Sequence, residues 1–196
     1  IEVAPGVLWF RLPLPMKLDH VNIYALEESD GWTLIDTGMR TKAGIAALKA
    51  VMAGPLSGKP VTRVILTHHH PDHVGLAGRL IRDGAELWST RTAYLTGRML
   101  TLDAQDSYPP ETMTFYQRAG MDEEVLETRS KDRPFNFADV CDPLPLGYKR
   151  LRQDDEVSFG GRSWRVHIGN GHAPEHATFW SLDDNLVLAG DQILPS

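Results

Sequence analysis

Seven consecutive residues, Thr67-His68-His69-His70-Pro71-Asp72-His73, constrain this chain more than any other feature in it. They hold four imidazoles and a carboxylate, and they follow directly on the strand-like run of residues 61–66. Neutral imidazole and carboxylate are the donors that suit zinc, iron and manganese. A strand that ends in such a cluster delivers several donors to one point at the carboxyl edge of a sheet. The fold is therefore expected to be built around a sheet edge that carries a metal site.

The flanking pattern supplies that sheet. Residues 7–12, 21–27 and 32–36 read as strands, the last two joined by a Ser29-Asp30-Gly31 turn. Residues 41–52 read as a helix, capped by Thr41, with Ile45 and Leu48 on one face and Gly54-Pro55 as the stop. Residues 61–66 form a buried-type strand, residues 74–82 a helix ended by Gly84, and residues 86–89 a short strand. The character then changes. Residues 92–102, 110–119 and 122–128 look helical, and residues 129–147 form a polar, proline-bearing loop. Residues 91–147 thus read as a helical insertion rather than a second domain. Strands return at 156–159, 163–168, 177–182 and 186–189, with hairpin turns at Gly160-Gly161 and Asp183-Asp184-Asn185. At 196 residues the chain suits one α/β (α+β) domain with a substantial core.

Composition narrows the partners. A net charge of -6 argues against nucleic acid or an anionic membrane surface, since either calls for a basic patch. No apolar run approaches the roughly 20 residues that span a bilayer. A lone cysteine, Cys141, leaves no intrachain disulfide. The expected partner is a small-molecule substrate, and the default location is cytoplasmic.

Two further clusters also follow strand ends. Gly169-Asn170-Gly171-His172-Ala173-Pro174-Glu175-His176 comes after Ile168, and Gly190-Asp191 comes after Ala189. Glycines beside His172 and Asp191 let the backbone turn sharply and approach a ligand. With Asp36-Thr37-Gly38 and the His68-x-His70-x-Asp72-His73 pattern, these segments make the chain resemble the metallo-β-lactamase superfamily of hydrolases along nearly its whole length. The resemblance implies an αββα sandwich with a metal site on one edge. It implies that His68, His70 and His172 hold one metal, Asp72 and His73 a second, and that Asp191 bridges them. Two zinc ions are expected in the complete protein, with iron or manganese as alternatives. A hydroxide between the metals is the implied nucleophile, and Asp72 is the residue expected to take up or relay a proton. Asp36 is expected to tie down the ligand loops without binding metal itself.

One departure from the family pattern stands out. Relatives with a complete dinuclear site supply another histidine after the bridging aspartate, and none follows Asp191 here. The chain is accordingly expected to be a fragment of a longer protein, C-terminally incomplete and lacking the closing helix-strand-helix portion. The remaining candidates have blander readings. His69 points away from its neighbours, His176 braces the loop, His167 is a face residue, and Cys141 is a small side chain in a loop. His20 reads mainly as packing or solvent-facing, with substrate contact as the alternative. Met99, Met113, Phe115, Tyr116 and Met121 are either core of the insertion or the lining of an acyl pocket.

The leading functional expectation is a metal-dependent hydrolase of an ester-like carbonyl, a thioester or a lactone. The resemblance is to the glyoxalase II-like and lactonase-like branches, because Asp191 stands where many β-lactamases carry cysteine. The alternatives are a mononuclear-iron oxidoreductase resembling the sulfur dioxygenases and a non-catalytic metal-binding member. Metal identity separates the two enzyme readings.

Overall fold

In the computed structural model, which describes residues 1–194, two sheets stack face to face. The first sheet begins with β1 (Glu2–Ala4), β2 (Val7–Pro13), β3 (His20–Glu27) and β4 (Trp32–Ile35), each antiparallel to the next. Then α1 (Lys42–Ala53) crosses over and β5 (Val61–Ile65) joins parallel to β4. Helices α2 (Pro71–Val74) and α3 (Ala77–Arg82) lead to β6 (Glu86–Thr90), again parallel. The insertion follows as α4 (Arg91–Leu102), α5 (Pro110–Arg118), α6 (Glu123–Lys131) and α7 (Phe137–Val140). Strand β7 (Lys149–Leu151) then completes the sheet beside β6. The second sheet is an antiparallel set of β8 (Glu156–Phe159), β9 (Arg162–Gly169), β10 (His176–Ser181) and β11 (Val187–Leu188), in the order β11-β10-β9-β8.

Each face of the first sheet has its own core. Phe10, Leu12, Ile23, Leu34 and Val64 pack against Leu48 of α1 and Leu80 of α3. On the opposite face Leu26, Ile35, Ile65 and Trp88 meet Phe159, Trp164, Val166 and Phe179 of the second sheet. Trp164 is fully buried, with its ring stacked on Phe159 at 5.0 Å between centroids. Burying such large aromatics holds the sheets together, each contributing several kcal/mol on the order of the cost of its removal. The layers run helix, sheet, sheet. The second core draws no residue from a helix, and after β11 only the 3-10 turn Gly190–Gln192 is seen among the described residues. The fourth layer of an αββα sandwich is not among them.

The structure corrects four sequence expectations. The helix expected over 74–82 is two short helices broken at Gly75 and Leu76, because the Leu76 N–H bonds to Gly38 O and Thr37 Oγ1. A Cβ at Gly75 would lie 2.6 Å from Gly38 O, so glycine permits this close approach. The loop expected over 129–147 contains the end of α6 and all of α7. Strands β1 and β7 were not expected; each is a three-residue edge strand, too short to show alternation. Lastly, Met99 and Phe115 are exposed and α5 buries nothing, so Met99, Met113, Phe115, Tyr116 and Met121 are not a core; the insertion is seated on the first core by Tyr94, Cys141 and Leu144 instead. A cleft of about 610 Å³ in that region is lined instead by Tyr108, Val125, Thr128 and Arg129.

Candidate metal centre

The carboxyl ends of the parallel strands β4 and β5 and the loops around β10 meet at one edge of the sandwich. After β4, Asp36 takes a left-handed conformation with φ of 63°. Its backbone N–H bonds to Ile65 O, which sets the carboxylate beneath the loop that follows β5. In that loop the Thr67 carbonyl accepts the Ala177 N–H at 2.8 Å, joining the two sheets directly under the site. His68 is fully buried, and Pro71 at the first position of α2 starts the turn that carries Asp72 and His73. Gly190 also takes a positive φ, 50°, and a Cβ there would lie 2.7 Å from His176 Cε1. Glycine lets Asp191 swing in over the histidines.

Two three-donor groups result. The donor atoms of His68, His70 and His172 lie within 4.8 Å of one another, and so do those of His68, His73 and Asp191. His172 Nε2 is 3.0 Å from His70 Nδ1. Asp191 Oδ2 is 3.3 Å from His73 Nε2 and 3.5 Å from His172 Nε2, so one carboxylate faces both groups. Asp72 adjoins the second group, its Oδ2 3.5 Å from His73 Nε2. All six residues singled out in the sequence therefore converge, though His68 takes part in both groups rather than one.

Below this layer one carboxylate organises the rings. Asp36 accepts from the Thr67 N–H at 2.9 Å, the Thr67 hydroxyl at 2.7 Å and His73 Nδ1 at 2.8 Å. Because the Thr67 hydroxyl gives its proton to Asp36, it can only accept from His68 Nδ1, 2.9 Å away. Both rings are thus held with Nδ1 protonated, which turns the Nε2 lone pair toward the cluster. His68 Nε2 and His73 Nε2 are buried and have no hydrogen-bond partner. For the neutral His68 ring a buried, unpartnered acceptor costs about 1–3 kcal/mol; a cation would satisfy that atom and would replace the proton that His73 Nε2 otherwise presents to Asp191 and Asp72. The residues present therefore fit a metal.

The electrostatics agree. Burial first, then the neighbouring imidazoles, push the His68 ring far below its ordinary value, so it is neutral, the state that ligates. Burial opposes charge on His73, but Asp36, Asp191 and Asp72 raise it well above the usual histidine value. Without a cation, a proton on His73 offsets the carboxylates that surround it. Burial works against ionising Asp72 and Asp191, yet their contacts to His73 hold both below the ordinary carboxylate value.

The other histidines sort out simply. His69 lies beside α4, its Nδ1 buried without a partner, and joins neither donor group. His176 stacks on His68 at 4.6 Å and accepts the Asp191 N–H at 3.1 Å, bracing that loop from within. His167 rests against the Trp180 ring on the outer face of the second sheet. His20 pairs with Arg11 and Asp19 rather than with the cluster. Cys141 is a small free side chain in the loop after α7, as expected, and is buried in the first core. Sequence reasoning gave no role to Thr67, whose hydroxyl links Asp36 to His68. It also missed the Glu175 side chain and carbonyl, which tie the His172 loop to Thr92 and Thr90 at the start of α4. Neither contact leaves a local sequence signal.

Comparison with known proteins places this geometry. Residues 16–196 match the family model described as the metallo-beta-lactamase superfamily. The chain is 39% identical over 192 residues to the probable metallo-hydrolase YqjP of Bacillus subtilis (strain 168), covering 96% of this chain and 57% of that protein. Its structure is similar to a beta-lactamase domain protein from Burkholderia ambifaria, with a TM-score of 0.82 and 36% identity, over all of this chain and 57% of the other. A metallo-beta-lactamase family protein from Thermus thermophilus gives a TM-score of 0.78 and 28% identity, over 98% of this chain and 61% of that one. The chain thus spans between half and two thirds of the length of each of these relatives.

Proposed function

Since the chain belongs to the metallo-beta-lactamase superfamily, we propose that it is the metal-binding part of a hydrolase that cleaves an ester-like carbonyl, a thioester or a lactone. The observation that carries this reading is the convergence of His68, His70, His172, His73 and Asp191 donors around buried, unpartnered imidazole nitrogens. His68, His70 and His172 would hold one cation, and His73, Asp72 and Asp191 would contribute to a second. Zinc suits this donor set best, and iron or manganese are also compatible with it. When bound, such cations acidify water and stabilise the oxyanion that forms when a carbonyl is attacked.

The chain's own residues do the rest. Asp191, facing both donor groups, fits a bridging role. Asp72 is held as a carboxylate at the rim of the second group and is placed to accept a proton during attack and return it to the leaving group. Asp36 keeps both buried rings in the ligating tautomer. The probable metallo-hydrolase named among the relatives supports hydrolysis. The aspartate at position 191 favours thioester or lactone over β-lactam.

Metal quantification on the purified protein, followed by turnover assays on thioesters, lactones and β-lactams, tests the reading. Zinc with thioester or lactone hydrolysis supports it. Iron with oxygen consumption points to the dioxygenase chemistry instead, and protein that takes up no metal refutes both.

A further inference from the structure

Asp191 is anchored on its backbone by His176. The residue after it, Gln192, packs its side chain against the strand end and loop that carry His172. A Cβ at Gly169 would overlap Gln192 Cδ and Oε1 and lie 2.9 Å from Cγ, and one at Gly171 would lie 3.1 Å from Gln192 Nε2. The two glycines thus leave a slot that the carboxamide fills. Gly169 ends β9 and pairs with His176, so the slot is a fixed part of the second sheet. Gln192 Oε1 is buried there and makes no hydrogen bond. The side chain is held by shape rather than by polar contacts, since an unpartnered buried oxygen is a cost.

We infer that Gln192 is a positioning residue that locks the Asp191 carboxylate to the His172 loop, so that the two donor groups keep their spacing. The inference rests on the metal-centre reading above. The Gly190–Gln192 turn is short; His176 holds the Asp191 N–H behind it, and the Gln192 side chain fills the slot in front. Removing the forward anchor frees Asp191 to drift from His73 and His172, which lie 3.3 Å and 3.5 Å from its Oδ2. Supporting groups of this kind alter metal affinity by roughly 10–100-fold.

The test uses metal-stripped protein titrated with cobalt(II), read by its visible absorption, with thermal melting in parallel. Gln192→Ala is expected to weaken the second cobalt equivalent about tenfold without loss of the fold. Gly169→Ala attacks the same contact from the other side and is expected to weaken it comparably. The double variant is expected to be no worse than Gln192→Ala, because both changes remove one contact. Gln192→Met fills the slot without the unpartnered oxygen and should bind cobalt like the wild type. Wild-type affinity in either alanine variant, additive losses in the double, or a methionine variant as weak as alanine overturns the inference. If Gln192→Ala does not fold, Gly169→Ala decides the matter alone. Wild-type protein that takes up no cobalt overturns the metal-centre reading and this inference with it.

Discussion

Asp36 Oδ2 sits 2.8 Å from His73 Nδ1 and accepts the Thr67 hydroxyl at 2.7 Å, so a single buried oxygen sets the orientation of two neighbouring histidine rings, His73 directly and His68 through Thr67. Asp36 has little solvent of its own, being 2% exposed. Its charge is offset by three donors and by the raised affinity of His73 for a proton. The residue therefore carries both folding and metal binding.

Substituting Asp36→Ala leaves the Thr67 donors and the His73 imidazole buried without their acceptor. The expected loss of stability is about 3–5 kcal/mol, the usual cost of breaking a buried ion pair from one side. Urea unfolding of the metal-free protein measures it. Asp36→Asn keeps the shape but supplies an amide where Nδ1 needs an acceptor. It should fold and yet bind zinc about 10–100-fold more weakly, as read by competition with a chromophoric chelator.

His70 is a cleaner probe of the centre itself. It is half-exposed, contributes to no core, and makes its closest polar contact with His172. His70→Ala should leave the melting temperature of the metal-free protein nearly unchanged, because surface truncations usually stay within about 0.5 kcal/mol. Metal content and turnover should both collapse, by more than about 100-fold in affinity. Hydrolysis that persists in the purified variant at wild-type rates would exclude the cluster as the catalytic centre.

How much of this was legible in the sequence depends on the range of the signal. The donors His68, His70, Asp72 and His73 could be picked out because they form one His-x-His-x-Asp-His pattern after a strand, and His172 and Asp191 because each follows a strand end with glycine beside it. The long strands β2, β3, β9 and β10 showed alternation or apolar runs over six residues or more. The short edge strands β1 and β7 did not, since three residues cannot define a period. The helix break at Gly75 was hidden because its cause is a hydrogen bond to Thr37, far away in sequence. For the same reason the roles of Thr67, Glu175 and Gln192 appear only once the loops are brought together.

Gly190 shows how the backbone itself constrains the site. Its φ of 50° and the 2.7 Å approach to His176 Cε1 both exclude a side chain. Gly190→Ala should cost about 1–2 kcal/mol from the left-handed conformation alone, with a further loss from displacing His176. Thermal unfolding should show a drop of several degrees. Zinc binding should weaken with it, because the Asp191 N–H bonds to the same ring. A fully stable Gly190→Ala protein with intact zinc affinity would refute the close approach.

The lone thiol reports on the first core. Cys141 is 1% exposed, and burial first, assisted by the Asp142 and Asp72 carboxylates, pushes its thiol up to about 12 despite the nearby Arg40. The thiolate is the reactive form. At pH 8 a rise from the ordinary 9.0 to about 12 lowers the thiolate fraction about a thousandfold. Reaction with an aromatic disulfide reagent should therefore be at least that much slower in the native protein than in denaturant. The sign for stability follows from linkage. Above pH 9 the unfolded chain releases this proton while the folded chain keeps it, so stability falls as pH rises toward 12. Cys141→Ala removes that part of the alkaline loss. Its stability curve should be lower than the wild type at pH 7, because buried volume is lost, and flatter between pH 9 and 11. A wild-type thiol that reacts as fast folded as unfolded would place Cys141 outside the core.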